Sequence, residues 1–367
     1  MIQRDAAAAV ELPGDSSNAH REHAAVAVPF AHFRTLLLAH GAQIGGTPLR
    51  EIAIHFGERY RRVWLKLEGT NAAGSIKDRT AIGLLDELRQ RGNLVPDRVL
   101  VESTSGNVGV ALALVAGVLG IRFIAVVDPK TSPERVARLA ALGAQVELVG
   151  EPDDFGGYLL SRLRRVKQIC SSSSDYIWTN QYGNPGNPRS HYMWTGPEML
   201  EQMDGTIDAV YIAVSTGGTL AGVSHFFREA SPRTRVVAVD AAGSIALGGD
   251  PAPRLLNGIG SSQHSEFVTA DLYDELIRVR DREAFAFCRA LHANTGIKVG
   301  GSSGALLAAC AHDLAVRPDL RRVLVLCPDG GANYESSIFS DRWCREHGMI
   351  LTDDDLQPAT GIAAPAP

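Results

Sequence analysis

Short apolar runs alternate with helix-patterned stretches along most of the chain. Val63–Leu67, Val99–Val101, Phe123–Val127, Val146–Val149, Val210–Val214, Val236–Val239 and Val323–Leu326 are rich in β-branched and aliphatic residues and read as strands. Asn107–Leu119, Pro133–Leu142, Tyr158–Ile169, Thr219–Ala230, Arg282–Asn294 and Gly304–Leu314 carry apolar residues at helical spacing. Strands separated by helices imply an α/β architecture of parallel sheets covered on both faces. Ligands in such sheets bind beyond the carboxyl ends of strands, in the loops that precede helices. The ends of the chain lack this pattern. Residues 1 to about 28 are polar and alanine-rich, and the segment from Thr352 closes on Ala-Ala-Pro-Ala-Pro. Both are expected to be disordered tails.

Composition narrows the class. The chain has 367 residues, 45% of them hydrophobic and 21% charged, as a soluble globular protein of one large or two ordinary domains would. Its 36 basic and 41 acidic residues leave a net charge of −5 without a basic run, so nucleic acid is an unsuitable partner. No apolar stretch approaches the roughly 18 residues of a membrane span. Five scattered cysteines without a Cys-x-x-Cys pair argue against a disulfide framework or a zinc site and fit a cytoplasmic protein. No metal ligand set is expected.

The chemistry gathers in glycine-rich loops. Glu68-Gly69-Thr70-Asn71-Ala72-Ala73-Gly74-Ser75-Ile76-Lys77-Asp78-Arg79 joins the Val63–Leu67 strand to a helix marked by Ala81, Ile82, Leu84, Leu85 and Leu88. A lysine at that helix start feels the positive end of the helix dipole and the neighbouring Arg79. Both favour the neutral amine that Schiff-base chemistry requires. Glu102-Ser103-Thr104-Ser105-Gly106-Asn107 again runs from strand to helix, with hydroxyls and free N–H groups suited to a carboxylate. In Val214-Ser215-Thr216-Gly217-Gly218-Thr219, small residues let backbone amides converge on a phosphate. That loop lacks the lysine of a nucleotide-binding P-loop. Gly300-Gly301-Ser302-Ser303-Gly304 opens another helix, and Asn180-Gln181-Tyr182-Gly183-Asn184-Pro185-Gly186-Asn187-Pro188 reads as an inter-domain loop.

Asn-x-x-Gly-Ser-Ile-Lys-Asp-Arg, followed in order by these loops, resembles the cysteine synthase-like, fold-type II pyridoxal phosphate enzymes. One departure is Ala72, where the family usually carries proline. The resemblance implies two doubly wound parallel-sheet domains of the tryptophan synthase β type. A large cofactor-binding domain would comprise 29–80 and 186–351, and a small mobile domain 81–185. It implies pyridoxal 5'-phosphate on Lys77, with Asn107 beside the ring hydroxyl and Ser302 facing the ring nitrogen. Ser215, Thr216, Gly217, Gly218 and Thr219 would form the phosphate cup. Thr104, Ser105, Gly106 and Gln181 would hold the substrate carboxylate, with Tyr182 and Gly258 lining the pocket.

Val126–Pro133, Glu151–Leu159, Val239–Ser244 and Gly258–Ser262 narrow the resemblance to enzymes that supply 2,3-diaminopropionate for siderophores and peptide antibiotics. Members of that group join O-phospho-L-serine to L-glutamate. Arg162 would serve the second amino acid as a cation, or else face solvent on its helix. Cysteine synthase activity with O-acetyl- or O-phosphoserine and sulfide is the nearest alternative. An inactive amino-acid-binding regulator is the alternative of another class. The family habit is a homodimer.

Overall fold

A computed structural model of the chain describes residues 35–94, 97–153 and 157–365. The tail expected over residues 1–28 lies outside them. The strands are β1 (Leu49–Phe56), β2 (Arg59–Leu67), β3 (Val99–Ser103), β4 (Arg122–Val127), β5 (Gln145–Leu148), β6 (Tyr176–Trp178), β7 (Ala209–Ala213), β8 (Arg235–Ala241), β9 (Glu275–Val279), β10 (Val323–Cys327) and β11 (Gly361–Ala363). They make two sheets, a seven-stranded one ordered β11-β1-β2-β10-β7-β8-β9 and a four-stranded one ordered β5-β4-β3-β6. The small sheet is parallel throughout, with Val101 opposite both Ile124 and Trp178. The large sheet is parallel from β2 to β9, and at one edge the reversed strand β1 pairs antiparallel with both β2 and β11.

Helices join the strands: α1 (Lys77–Gln90), α2 (Asn107–Val118), α3 (Pro133–Ala141), α4 (Leu159–Ser172), α5 (Gly186–Ser190), α6 (Gly196–Gln202), α7 (Gly218–Ala230), α8 (Asp281–Thr295), α9 (Gly301–Val316) and α10 (Asp341–Glu346). A π-helical turn, His191–Thr195, joins α5 to α6. Central strands are predominantly apolar because both faces are covered, with buried polar residues such as Glu102 and Asp240 near their carboxyl ends. In β7, Ala209 and Tyr211 enter one core while Val210 and Ile212 enter another. In β3, Leu100 packs on one side of the small sheet, and Val99 and Val101 on the other. Among the described residues no helix is long and apolar enough to cross a membrane.

The C-terminal segment departs from expectation. Rather than a disordered tail from 352, the chain forms a 3-10 turn at Asp353–Leu356 and then β11, which pairs with β1 through Ala53, Ile54 and His55. Thr352 and Asp355 cap the turn reciprocally, and Arg282 of α8 grips Asp355 at 3.0 Å. Ile362 and Ala359 enter the main core. Two apolar anchors, one ion pair and a strand edge with open hydrogen-bonding groups order a segment too short and too polar to show a period of its own.

Candidate active site

Lys77 is the first residue of α1, where the loop after β2 turns into the helix. Its backbone N–H donates to Ser75 Oγ at 3.2 Å, and Ile76 N–H donates to Pro328 O at 2.7 Å. The loop is therefore seated on the carboxyl end of β10. Burial lowers the Lys77 ammonium to about 8, against the pull of the Glu102 carboxylate. Arg79 does not contribute as expected. Its guanidinium is fully buried and paired with Glu68 and Glu198.

The Thr104 loop caps α2. Thr104 Oγ accepts from the N–H groups of Gly106 (3.2 Å) and Gly109 (3.0 Å), and Gly106 is the N-cap. Arg135 of α3 holds the carbonyl of Ser105 at 2.9 Å. Asn107, first in α2, donates from Nδ2 to Asp329 Oδ2 at 2.8 Å, crossing from the small sheet to the large one. Gln181 follows β6 and donates from Nε2 to Ser103 O at 3.1 Å. Beneath both loops lies Glu102, a fully buried carboxylate receiving Ser103 N–H (2.9 Å), Thr179 O–H (2.5 Å), Gln181 N–H (3.1 Å) and Trp178 Nε1–H (3.4 Å). It locks the Thr104 and Gln181 loops together.

The second glycine-rich loop leaves β7 and opens α7. Gly217 has φ +90°, and a Cβ there would lie 1.9 Å from Ser265 Oγ, so no other residue fits the turn. Thr216 Oγ accepts from Asn187 Nδ2 (3.2 Å) and from Gly218 N–H (3.4 Å), which leaves its proton free to donate. Thr219 Oγ and Thr80 Oγ meet His191 Nε2 at 3.2 and 3.1 Å, and His191 Nδ1 meets Thr195 Oγ at 2.9 Å. Burial, then the charges of Lys77 and Arg79, keep this imidazole neutral. Ser215, half-buried, stands at the start of the loop.

Ser302, second in α9, is fully buried, and its Oγ has no hydrogen-bond partner among the described residues. A Cβ on Gly258 would lie 3.7 Å from that Oγ and 3.7 Å from Tyr334 Oη, so the Gly258 turn faces the same space. Gly260 N–H donates to Val214 O at 2.7 Å and ties that turn to the second loop. Arg162 does not face solvent. It is buried, with Nε 3.2 Å from Asp128 Oδ2 and Nη1 unpartnered. Burial raises the Tyr182 phenol to about 12, and the nearby Arg162 charge opposes the shift.

The residues present suit pyridoxal phosphate: an amine lowered toward neutrality, a hydroxyl with a spare proton at a helix start, and buried unpartnered oxygens on Ser302, Asp329 and Asn187. Sequence reading gave no role to Glu102, Asn187, His191 or Asp329. Only Asp329 carried a usable signal, since Pro328-Asp329-Gly330-Gly331 directly follows a strand run.

A family model described as pyridoxal-phosphate dependent enzyme matches residues 41–329. An N-(2-amino-2-carboxyethyl)-L-glutamate synthase of Ralstonia nicotianae is 43% identical over 300 residues, 82% of this chain and 89% of that protein. Its namesake in Cupriavidus metallidurans is 42% identical over 303 residues, with 82% and 89% covered. A solved cysteine synthase from Entamoeba histolytica superposes with a TM-score of 0.75 at 29% identity, covering 85% of this chain and 93% of that one. The chain belongs to the pyridoxal-phosphate dependent enzymes, in their cysteine synthase-like, fold-type II group.

Proposed function

We propose that the enzyme performs a β-replacement that converts O-phospho-L-serine and L-glutamate into N-(2-amino-2-carboxyethyl)-L-glutamate and phosphate. The observation that carries this reading is the buried Arg162. It lies in ion-pair range of Asp128, yet its Nε and Nη1 make no hydrogen bond among the described residues, and its charge acts on the Tyr182 phenol. A dicarboxylate nucleophile needs such a cation, and sulfide does not. The two relatives named for this product add support.

Pyridoxal phosphate, when bound, supplies the electron sink for the pair left at the substrate Cα. In this reading Lys77 takes the Cα proton and later returns it, a role open to an amine lowered to about 8. Thr104, Ser105, Gly106 and Gln181 hold the substrate carboxylate, Asn107 and Ser302 flank the cofactor ring, and Ser215 to Thr219 receive its phosphate. The Cβ–O bond to phosphate breaks, the glutamate nitrogen bonds to Cβ, and that nitrogen releases one proton. Residues 81–185 act as a small mobile domain whose closure excludes water. The reading extends to a cytoplasmic homodimer serving siderophore or antibiotic synthesis, and the five free cysteines suit that compartment.

The test mixes purified holoenzyme with O-phospho-L-serine, records the visible spectrum, and then adds L-glutamate or sulfide. A spectrum changed by O-phospho-L-serine and restored by L-glutamate, but not by sulfide, is expected. Restoration by sulfide alone would identify a cysteine synthase. A protein without cofactor absorbance, even after pyridoxal phosphate is added, would be an amino-acid-binding regulator.

A further inference from the structure

Asp329 lies two residues beyond β10, where three of the candidate loops converge. Its backbone bridges Ser75 in the lysine loop. Its carbonyl accepts from Gly300 N–H at 3.3 Å, just before Ser302. Its side chain reaches the start of α2. Oδ2 accepts from Asn107 Nδ2 at 2.8 Å and from Tyr334 Oη at 2.7 Å, while Oδ1 has no partner among the described residues. Room for Oδ1 exists because residue 300 is glycine, where a Cβ would lie 2.0 Å from it.

Asp329 is 1% exposed, and its side-chain partners are the neutral Asn107 and Tyr334, with no ion pair among the described residues. Burying a carboxylate on so few donors is unfavourable. Burial accordingly shifts its titration upward, against the hydrogen bonds from Tyr334 and Asn107 and the charge of Arg135. Neither core packing nor an ion pair accounts for an acid here. Its geometry toward Asn107 does. A carboxamide has two N–H donors and one acceptor, and its two faces look alike sterically. An acceptor-only oxygen at 2.8 Å decides which end of Asn107 is nitrogen and where its second N–H points.

We propose that Asp329 is a positioning residue that orients the Asn107 carboxamide so that its remaining N–H meets the cofactor ring oxygen. The assignment rests on Asn107 standing beside the cofactor, and it holds whichever nucleophile the enzyme uses. Asn107 reaches the site from the small sheet and Asp329 from the large one, so correct amide orientation also requires the two sheets to be in register.

A double-mutant cycle read by cofactor affinity tests this. Apoenzymes of the wild type, Asn107→Ala, Asp329→Ala and the double variant are titrated with pyridoxal phosphate and followed by visible absorbance. Thermal midpoints of the apo forms confirm folding. Each single change is expected to weaken binding roughly three- to tenfold, the range of one hydrogen bond. The double variant should be no weaker than Asn107→Ala alone. Asp329→Asn, which keeps an acceptor oxygen in place, should recover most of the affinity. Multiplying effects in the double variant would overturn the proposal, as would an Asp329→Asn variant as weak as the alanine. An Asn107→Ala variant with unchanged affinity would instead remove Asn107 from the cofactor, and the proposal with it. Should Asp329→Ala not fold, Asp329→Ser withdraws the same acceptor and carries the cycle.

Discussion

Two buried arginines show how differently one residue type is used in this fold. Arg79, fully buried in α1, donates from Nε and Nη2 to Glu68 at 2.7 and 2.8 Å and from Nη1 and Nη2 to Glu198 at 2.8 and 2.9 Å. Its guanidinium also stacks on Trp194, 4.8 Å from the ring centre. Lys66, also fully buried, pairs with the same Glu198 and donates to Thr47 O at 2.5 Å. Although burial opposes it, Arg79 and Lys66 hold Glu198 down at about 2. Arg162 has only Asp128, and its Nη1 is unpartnered. A saturated cation fastens β2, α1 and α6 behind the lysine. Arg162, buried with two nitrogens lacking hydrogen bonds, is the cation proposed to receive an anion.

Removing the saturated cation has the largest expected effect. Arg79→Met leaves Glu68 without its cation and Glu198 with Lys66 alone, and should destabilise the fold by about 3–5 kcal/mol, read from the urea midpoint. A loss below about 1 kcal/mol would erase the contrast between the two arginines. Lys77, two positions away, is shifted by burial, with Glu102 opposing. Only the neutral amine can condense with the cofactor carbonyl, and burial places its midpoint at about 8. The rate of pyridoxal phosphate capture by apoenzyme should therefore climb about tenfold per pH unit below that midpoint and flatten above it. A rate still climbing two units higher would mean that Lys77 titrates as an ordinary lysine. Arg162→Lys sharpens the comparison with the smallest change. It keeps a charge beside Asp128 and loses the fork. The KM for L-glutamate should rise about tenfold while kcat and the urea midpoint hold nearly constant, one charged hydrogen bond having been lost. Equal losses in stability and binding would make Arg162 a structural residue like Arg79.

Legibility followed the length of the apolar run more than burial: β5 was read although it is only half-buried, and β1 was missed although Ile52 and Ile54 lie in the core. The buried runs of β3, β4, β7, β8 and β10 stood out because strands covered on both faces are largely apolar over consecutive positions. The strands missed were β1, β6, β9 and β11. β11 is a three-residue edge strand, β9 shows three half-buried positions and β6 spans three residues. Such strands are held by a neighbour's open edge more than by their own pattern. Among the candidate site residues, Lys77, Thr104, Asn107, Gly217 and Ser302 were visible because loop-to-helix junctions rich in small and hydroxyl residues carry a local signature. Glu102 was not, since a carboxylate inside a strand run has no signature until four donors are seen to surround it.

By itself, then, the sequence determined the α/β succession, the order of the glycine-rich loops and the lysine among them. Period, turn chemistry and helix starts are properties of adjacent residues. Only the tertiary structure decided which charges cancel and which remain available. Glu68 and Glu198 lie 11 and 119 residues from Arg79, and Asp329 lies 222 residues from Asn107. The state of a buried charge depends on the partners that the fold brings within about 3 Å of it and on the water it removes.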